Sequence, residues 1–229
     1  MNSNTEKILA KKKLAVNLGR ACVILALVGI VALFMWFKAY VTSVARNRDE
    51  MIKYEKFILP VVMMDPVPFD DAGQIDEEVA LQIAMWDSLL GENRENFAYD
   101  ENGMLLVPAT DLDVSAHKLF GVELTLNHKT FYDTDGTYLY DPDIMAYRVP
   151  SMAKVSYTPY VESVTKTPEK TILKVGYVPP GNMWSTKQEE KDDKEIRADK
   201  YMFYDLYKGE DGSYIGSIRD IDALAPPMS

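Results

Sequence analysis

The stretch YMFYDLYKGEDGSYIGSI, residues 201–218, decides the fold class of this chain. Its two runs, Tyr201–Tyr207 and Ser213–Ile218, are rich in aromatic and β-branched residues and are separated by a Gly-Glu-Asp-Gly turn. The Asp-Gly pair supplies the positive φ angles that tight hairpin loops need. The stretch therefore predicts two antiparallel β-strands joined by a short turn.

Two other stretches have the same turn chemistry. Tyr99–Gly103 contains Asn-Gly and Tyr132–Gly136 contains Asp-Gly, each between apolar or aromatic runs, so both predict hairpins. Alternation of apolar and polar residues extends the predicted sheet. The further strands are predicted at Val122–Leu126, Tyr138–Tyr140, Met145–Val149, Ala153–Val164 and Thr171–Val178.

A long amphipathic helix precedes these strands. Apolar residues recur every three or four positions up to Leu90, which predicts a helix over Ala72–Leu90. Asp71, followed three residues later by Gln74, resembles a capping box, and Gly91 is a suitable stop. A helix packed on antiparallel strands indicates an α+β fold.

A second, shorter helix is predicted between the first two hairpin turns. It runs from Asp113, the expected N-cap, to Phe120 and ends before Gly121.

The N-terminal part of the chain contains the run ACVILALVGIVALFMWF, residues Ala21–Phe37, which has 17 uncharged and mostly apolar residues. A membrane-spanning helix needs about 20 such residues, and Leu18–Val41 reaches that length if Arg20 and Lys38 extend their charged ends to the interfaces. The sequence therefore predicts one transmembrane helix.

Charge on the two sides of this helix predicts its orientation. Basic residues are retained in the cytoplasm, and the N-terminal side has five of them against one acid. We therefore expect a cytoplasmic N-terminus, an extracytoplasmic C-terminal domain and a single-pass protein of the cell membrane. The alternative is a signal peptide cleaved near Ser43–Ala45, but its apolar region would exceed the usual length of roughly 7–15 residues.

The predicted organisation has four parts. They are a basic cytoplasmic tail over residues 1–17, the transmembrane helix over 18–41, a juxtamembrane helix and linker over 42–69, and an extracytoplasmic α+β domain over 70–229 with a charged mobile loop at 182–200. The juxtamembrane helix is expected to end at Leu59 because Pro60 cannot continue its hydrogen bonding. Val61–Phe69 contains two more prolines and predicts an extended linker.

Composition limits the partners of the exported part. Residues 49–229 hold 17 basic and 34 acidic residues, a net charge of −17. An anionic surface repels phosphate backbones, so we expect no nucleic-acid binding. The only cysteine is Cys22, within the predicted span, so the domain has no disulfide and is more typical of a bacterial envelope protein than of an animal cell-surface module.

The sequence contains no pattern typical of a catalytic or metal site. Four aspartates surround a tyrosine-rich segment, but their spacing to Gly136 does not match a calcium-binding EF-hand loop. His117 and His128 are the only histidines and lack the spacing of a zinc site. No glycine-framed serine and no phosphate-binding glycine loop occurs. We therefore expect no enzyme activity, no cofactor and no metal. The four aspartates are Asp133, Asp135, Asp141 and Asp143.

Aromatic residues in the C-terminal strands are the candidates for partner or pocket contact. In the strand Tyr201–Tyr207, alternation places Tyr201, Phe203 and Tyr207 on one face and Met202, Tyr204 and Leu206 on the other. Both faces are therefore largely apolar, and one of them is expected to meet a helix, a partner or a pocket. The candidate residues are Trp184, Tyr201, Phe203, Tyr204 and Tyr207.

The order of the predicted elements resembles the cone-shaped NTF2-like fold, including versions tethered by one N-terminal span in bacterial secretion and conjugation machines. The resemblance covers element order over residues 42–220 and no sequence motif, so it assigns no residue roles. A cystatin-like helix-on-sheet module fits the same order.

We expect a non-catalytic interaction or scaffold protein of a bacterial cell envelope, with protein partners outside the cytoplasm. The alternatives are a small-ligand sensor or carrier, and an enzyme that uses Asp or Glu together with Tyr.

Overall fold

The computed structural model describes most of the chain beyond residue 46. The described residues are Leu33, Met35, 47–121, 124–133, 136–150, 156–180, 198–210 and 212–221. The chain divides into two compact units, Met1–Glu50 and Met51–Ser229. The predicted cytoplasmic tail, nearly all of the predicted span and the charged loop up to residue 197 lie outside the described residues. Within the described part, no helix is long and apolar enough to cross a membrane.

Helix α1 occupies residues 47–64 and ends later than the sequence predicts. The predicted end at Leu59 is wrong, because the helix continues through Pro60. Ile58, Val61 and Val62 are completely buried in the domain core, and this burial offsets the hydrogen bond that proline cannot donate. The first part of the predicted linker is therefore helical. The helix ends at Asp65, which has a positive φ of 48° and precedes a proline.

The predicted helix over Ala72–Leu90 is divided into two elements. A short 3-10 helix, Ala72–Gln74, is capped by Asp71, whose carboxylate accepts a hydrogen bond from the Gly73 amide. Helix α2, Glu77–Leu90, then begins at a second cap, Asp76. The start at Asp71 is therefore wrong for the α-helix, because two aspartates each cap their own turn. The end at Leu90 is confirmed.

The first sheet has five antiparallel strands and one helix in its connections. Its elements in chain order are β1 (Ala98–Tyr99), β2 (Leu105–Pro108), helix α3 (Ala109–Phe120), β3 (Phe131–Asp133), β4 (Gly136–Asp141) and β5 (Ala146–Val149). The spatial order of the strands is β1-β2-β5-β4-β3. The hairpins predicted at Tyr99–Gly103 and Tyr132–Gly136 are confirmed by the pairs β1–β2 and β3–β4.

Two local predictions in this region are wrong. Helix α3 begins at Ala109, directly after β2, and the carboxylate of Asp113 accepts a hydrogen bond from Nε2 of His128 instead of capping the helix. The predicted strand Val122–Leu126 is not a strand in its described part, because residues 124–130 form neither helix nor strand. Leu124 and Leu126 pack into the core, so burial alone accounts for their alternation.

The second sheet is an antiparallel meander of four strands in sequential order. Its strands are β6 (Thr158–Lys166), β7 (Lys170–Val178), β8 (Lys200–Gly209) and β9 (Gly212–Asp220). The last two strands confirm the hairpin predicted for residues 201–218. Phe69 pairs with Ile218 on the outer edge of β9, and Glu55 of α1 accepts a hydrogen bond from the Val161 amide on β6.

Two hydrophobic clusters hold the domain together. The first joins α1, the end of α3 and the inner face of the four-stranded sheet, and the second joins α2, α3 and the five-stranded sheet. Ile83 of α2 belongs to the first cluster and its neighbour Ala84 to the second, so α2 contributes to both. The structure is therefore an α+β fold with two antiparallel sheets and three α-helices among the described residues.

Candidate functional site

The candidate residues on strand β8 lie on two different faces. Tyr204 points into the core and is completely buried, and its hydroxyl lies 2.6 Å from the hydroxyl of Tyr177. Burial raises the pKa of both phenols, so both remain neutral. Tyr204 therefore stabilises the core and has no accessible surface for a partner.

The other β8 candidates form a half-buried row on the outer face of the sheet. Each ring lies close to a cation: Lys174 Nζ is 4.8 Å from the Tyr201 ring centroid. Arg219 Cζ is 5.9 Å from the ring of Phe203, and Lys170 Nζ is 5.9 Å from the ring of Tyr207. We call these three rings and three cations the outer-face cluster. Trp184, the fifth candidate, lies outside the described residues.

Asp205 lies at the centre of the outer-face cluster and is buried. Its carboxylate accepts hydrogen bonds from Lys170 at 2.6 Å, Arg219 at 2.7 Å and Ser217 at 3.1 Å. Burial alone would raise the pKa of this carboxyl, but the three donors and the charge of Arg219 outweigh it and hold the pKa below its ordinary value. Asp205 therefore holds two of the three cations, Lys170 and Arg219, beside the rings of Tyr207 and Phe203.

Asp205 was not singled out from the sequence, although a signal was present. It is the one acid in the otherwise aromatic and aliphatic run Tyr201–Tyr207, and an acid inside a strand with two apolar faces must be paired. Its partners come from β7 and β9, so their identity depends on strand register.

Two glycines provide space for the outer aromatic rings. A Cβ atom at Gly216 would lie 2.5 Å from the ring of Tyr207, and one at Gly176 would lie 3.0 Å from the ring of Tyr201. Gly216 also lies where the β8–β9 register shifts by one residue. A larger residue at either glycine would therefore displace one of these two rings.

An open cleft of about 1210 Å³ lies between α1, the end of α3 and the β8–β9 hairpin. Its aromatic lining includes Tyr54, Phe57 and Tyr214, and Tyr207 of the outer-face cluster also contributes. His117 lies in its wall. The cleft exceeds the roughly 300–1,000 Å³ that is typical of small-molecule pockets.

The structure does not bring the two histidines into one site. His117 lines the cleft, whereas His128 lies between Asp113 and Tyr147. Nε2 of His128 is 3.2 Å from Oδ1 of Asp113, and its Nδ1 is 3.0 Å from the hydroxyl of Tyr147. His128 also stacks on Tyr140, with ring centroids 5.6 Å apart. Both ring nitrogens of His128 are therefore engaged within the protein.

The aspartates around the tyrosine-rich segment form ion pairs and turns where the structure describes them. Asp141 binds Arg148 at 2.7 Å, and this hydrogen bond lowers the pKa of the Asp141 carboxyl. Asp141 also accepts a hydrogen bond from the Asp143 amide. Asp135 lies outside the described residues. Among the described residues, no group of three or more His, Cys, Asp or Glu side chains could hold a metal ion.

A smaller pocket of about 200 Å³ lies where α2 ends, between the following 3-10 helix (Glu92–Asn96) and the β1–β2 hairpin. We call it the Trp86 pocket. Its lining includes Trp86, Leu90, Arg94, Tyr99, Leu105 and Val149. The sequence did not reveal it, because these residues come from separate elements.

No protein-family model, no curated protein and no solved structure matches the chain. Its function is therefore inferred from the sequence and the geometry of these sites.

Proposed function

We propose that this chain is a membrane-anchored extracytoplasmic protein whose folded domain binds other proteins and has no catalytic role. We place a single transmembrane helix at Ala21–Phe37, the N-terminus in the cytoplasm and the folded domain on the other side of a bacterial cell membrane. The domain would act as a scaffold of the kind found in secretion or conjugation assemblies.

The outer-face cluster is the observation that carries the binding proposal. Aromatic and arginine side chains are enriched in protein interfaces, and here three half-buried rings lie side by side on one rigid strand. A cation lies beside each ring, and the rings of Tyr201 and Tyr207 also lie close to glycines, so little side-chain entropy would be lost when a partner covers them. This pre-organisation supports a protein contact.

Two described residues support the proposed anchor. Leu33 and Met35 are helical, and they expose 68% and 66% of their surface. Apolar side chains on the outside of a helix are the arrangement that lipid contact requires.

For the finer fold, we favour the cystatin-like alternative over the NTF2-like cone. Helix α1 shares a core with an antiparallel meander of four strands, which is a helix-on-sheet arrangement. Within the described ranges, nine strands fall into two sheets, and this division gives the single-cone alternative less support.

Site-specific photo-crosslinking in whole cells tests the binding proposal. A photo-reactive phenylalanine at Phe203 should give a reproducible adduct with a specific envelope protein. The matched control is Tyr132, which is 65% exposed on the other sheet and should not give this adduct. Identical adducts from both positions, or none from Phe203, would contradict the proposal.

Binding of a small ligand is the second candidate function, and the cleft favours it. Its volume of about 1210 Å³ and its aromatic wall could enclose an elongated apolar molecule. Native mass spectrometry of the protein purified from its own membranes tests this candidate. A bound small molecule that is lost in a Phe57→Asp variant would support it.

A further inference from the structure

The Trp86 pocket has hydrogen-bond donors without acceptors. Trp86 is only 7% exposed, and its indole N–H has no hydrogen-bond partner. Arg94 is exposed at the rim of the pocket, and its guanidinium has no ion-pair or hydrogen-bond partner among the residues that the structure describes. Because buried donors in proteins are nearly always paired, the Trp86 N–H indicates that the pocket takes a ligand with a hydrogen-bond acceptor.

The charge of the lining indicates the sign of that acceptor. Arg94 is the one charged residue in the described lining, and no acid faces it there. Glu92 and Glu95 lie on the same 3-10 helix as Arg94 but do not line the pocket. In a domain that is acidic overall, an unpaired arginine at a pocket selects a negatively charged group.

The rest of the lining is apolar and partly exposed. Leu90 and Tyr99 are 49% and 66% exposed at the pocket, and Leu105 and Val149 are buried in it. A volume of about 200 Å³ is below the roughly 300 Å³ at which small-molecule pockets begin. The space therefore suits one apolar side chain that a larger partner inserts.

We propose that the Trp86 pocket binds the C-terminal residue of a partner protein, when that residue has a large apolar side chain. The side chain packs against Trp86, and the terminal carboxylate binds Arg94. The Trp86 indole N–H, which is buried in this structure, donates to the same carboxylate once the exposed Leu90 side chain turns aside. A C-terminal residue fits because one residue supplies both the apolar group and the carboxylate. This inference rests on the proposed function, since it assigns a second contact point for a protein partner.

Peptide binding to the full chain in detergent micelles tests the inference. The chain has three tryptophans, so Trp36→Phe and Trp184→Phe leave Trp86 as the only fluorescent indole. The probe is the peptide Gly-Ser-Gly-Ser-Leu with a free carboxylate, which should change the Trp86 emission in a saturable way. The same peptide with a C-terminal amide should bind at least tenfold more weakly.

Variants and a third peptide decide what is bound. Arg94→Gln should weaken binding of the free-carboxylate peptide at least tenfold, whereas Lys208→Gln, an exposed lysine on the other sheet, should leave it unchanged. No saturable change, equal binding of acid and amide, or no effect of Arg94→Gln would overturn the inference. Equal binding of Gly-Leu-Asp-Ser-Gly amide would overturn the C-terminal assignment in favour of an acidic side chain. None of these results would affect the Phe203 adduct, so failure here is distinguishable from failure of the proposed function.

Discussion

Removal of the Asp205 carboxylate should destabilise the domain more than any other single change on its outer surface. In Asp205→Ala, Lys170 and Arg219 lose a shared acceptor, and Ser217 loses a buried one. Removing one partner of a buried ion pair costs about 3–5 kcal/mol in general. The side chains of Lys170 and Arg219 are 27% and 30% exposed, so both cations can still reach water.

We therefore expect Asp205→Ala to lower the free energy of unfolding by about 2–4 kcal/mol, which is below the fully buried case. For a domain of this size, that loss corresponds to a fall in Tm of roughly 5–15 °C. Urea unfolding of the purified chain gives the free energy, and a thermal melt gives Tm. The control is Glu169→Ala in the exposed β6–β7 turn, which should change stability by less than about 0.5 kcal/mol.

The pH dependence of this loss provides an internal check. Because the folded-state pKa of Asp205 is below its ordinary value, its stabilising contribution is present above the unfolded-state pKa of about 4. The contribution is lost as pH falls through the lower folded-state pKa. The difference in the free energy of unfolding between wild type and Asp205→Ala should therefore be constant near pH 7 and should shrink in strong acid. A loss below about 0.5 kcal/mol at pH 7, or a difference that grows on acidification, would refute the reasoning.

Three further predictions concern packing and capping. Gly216→Ala should cost about 1–3 kcal/mol, because its Cβ would lie 2.5 Å from the Tyr207 ring, and a Tyr207→Ala background should remove most of that cost in urea unfolding. Tyr204→Phe should cost about 1–3 kcal/mol by leaving the buried Tyr177 hydroxyl without its partner. The double variant with Tyr177→Phe should be less destabilised than the sum of the two single variants, and additive costs would contradict a direct bond. Asp76→Ala should cost about 1 kcal/mol in thermal melts through loss of the α2 cap, and no change would contradict that role.

Local chemistry explains which parts of the fold could be predicted from the sequence. The strand pairs of the three hairpins agree with the prediction, because Asn-Gly and Asp-Gly favour a tight reversal of the chain within a few residues. The end of α2 at Leu90 was predicted by the end of its apolar periodicity.

The errors occurred where tertiary contacts outweighed local signals. Pro60 predicts the end of a helix, but α1 continues because Val61 and Val62 are buried against the four-stranded sheet. Two aspartates were available to cap α2, and no sequence rule selects Asp76 over Asp71. Leu124–Leu126 alternates like a strand, yet its side chains reach the core without pairing in a sheet.

The sites could be predicted only in part for the same reason. The aromatic row of β8 follows from alternation within one strand, so the shared face of Tyr201, Phe203 and Tyr207 can be predicted from the sequence. The sequence does not show which face of β8 is buried, because that depends on where α1 packs, and so it does not show that Tyr204 is a core residue. The Trp86 pocket combines the end of α2, a 3-10 helix and three strands, and no local pattern in the sequence brings Trp86 and Arg94 together.

The topology of the chain in the membrane is the most direct test of the central proposal. In a Cys22→Ala background, Glu169→Cys places a single thiol in the exposed β6–β7 turn. Intact cells are treated with a membrane-impermeant maleimide, and labelling is compared before and after lysis. The proposal predicts full labelling in intact cells, whereas labelling that occurs only after lysis would contradict an extracytoplasmic domain.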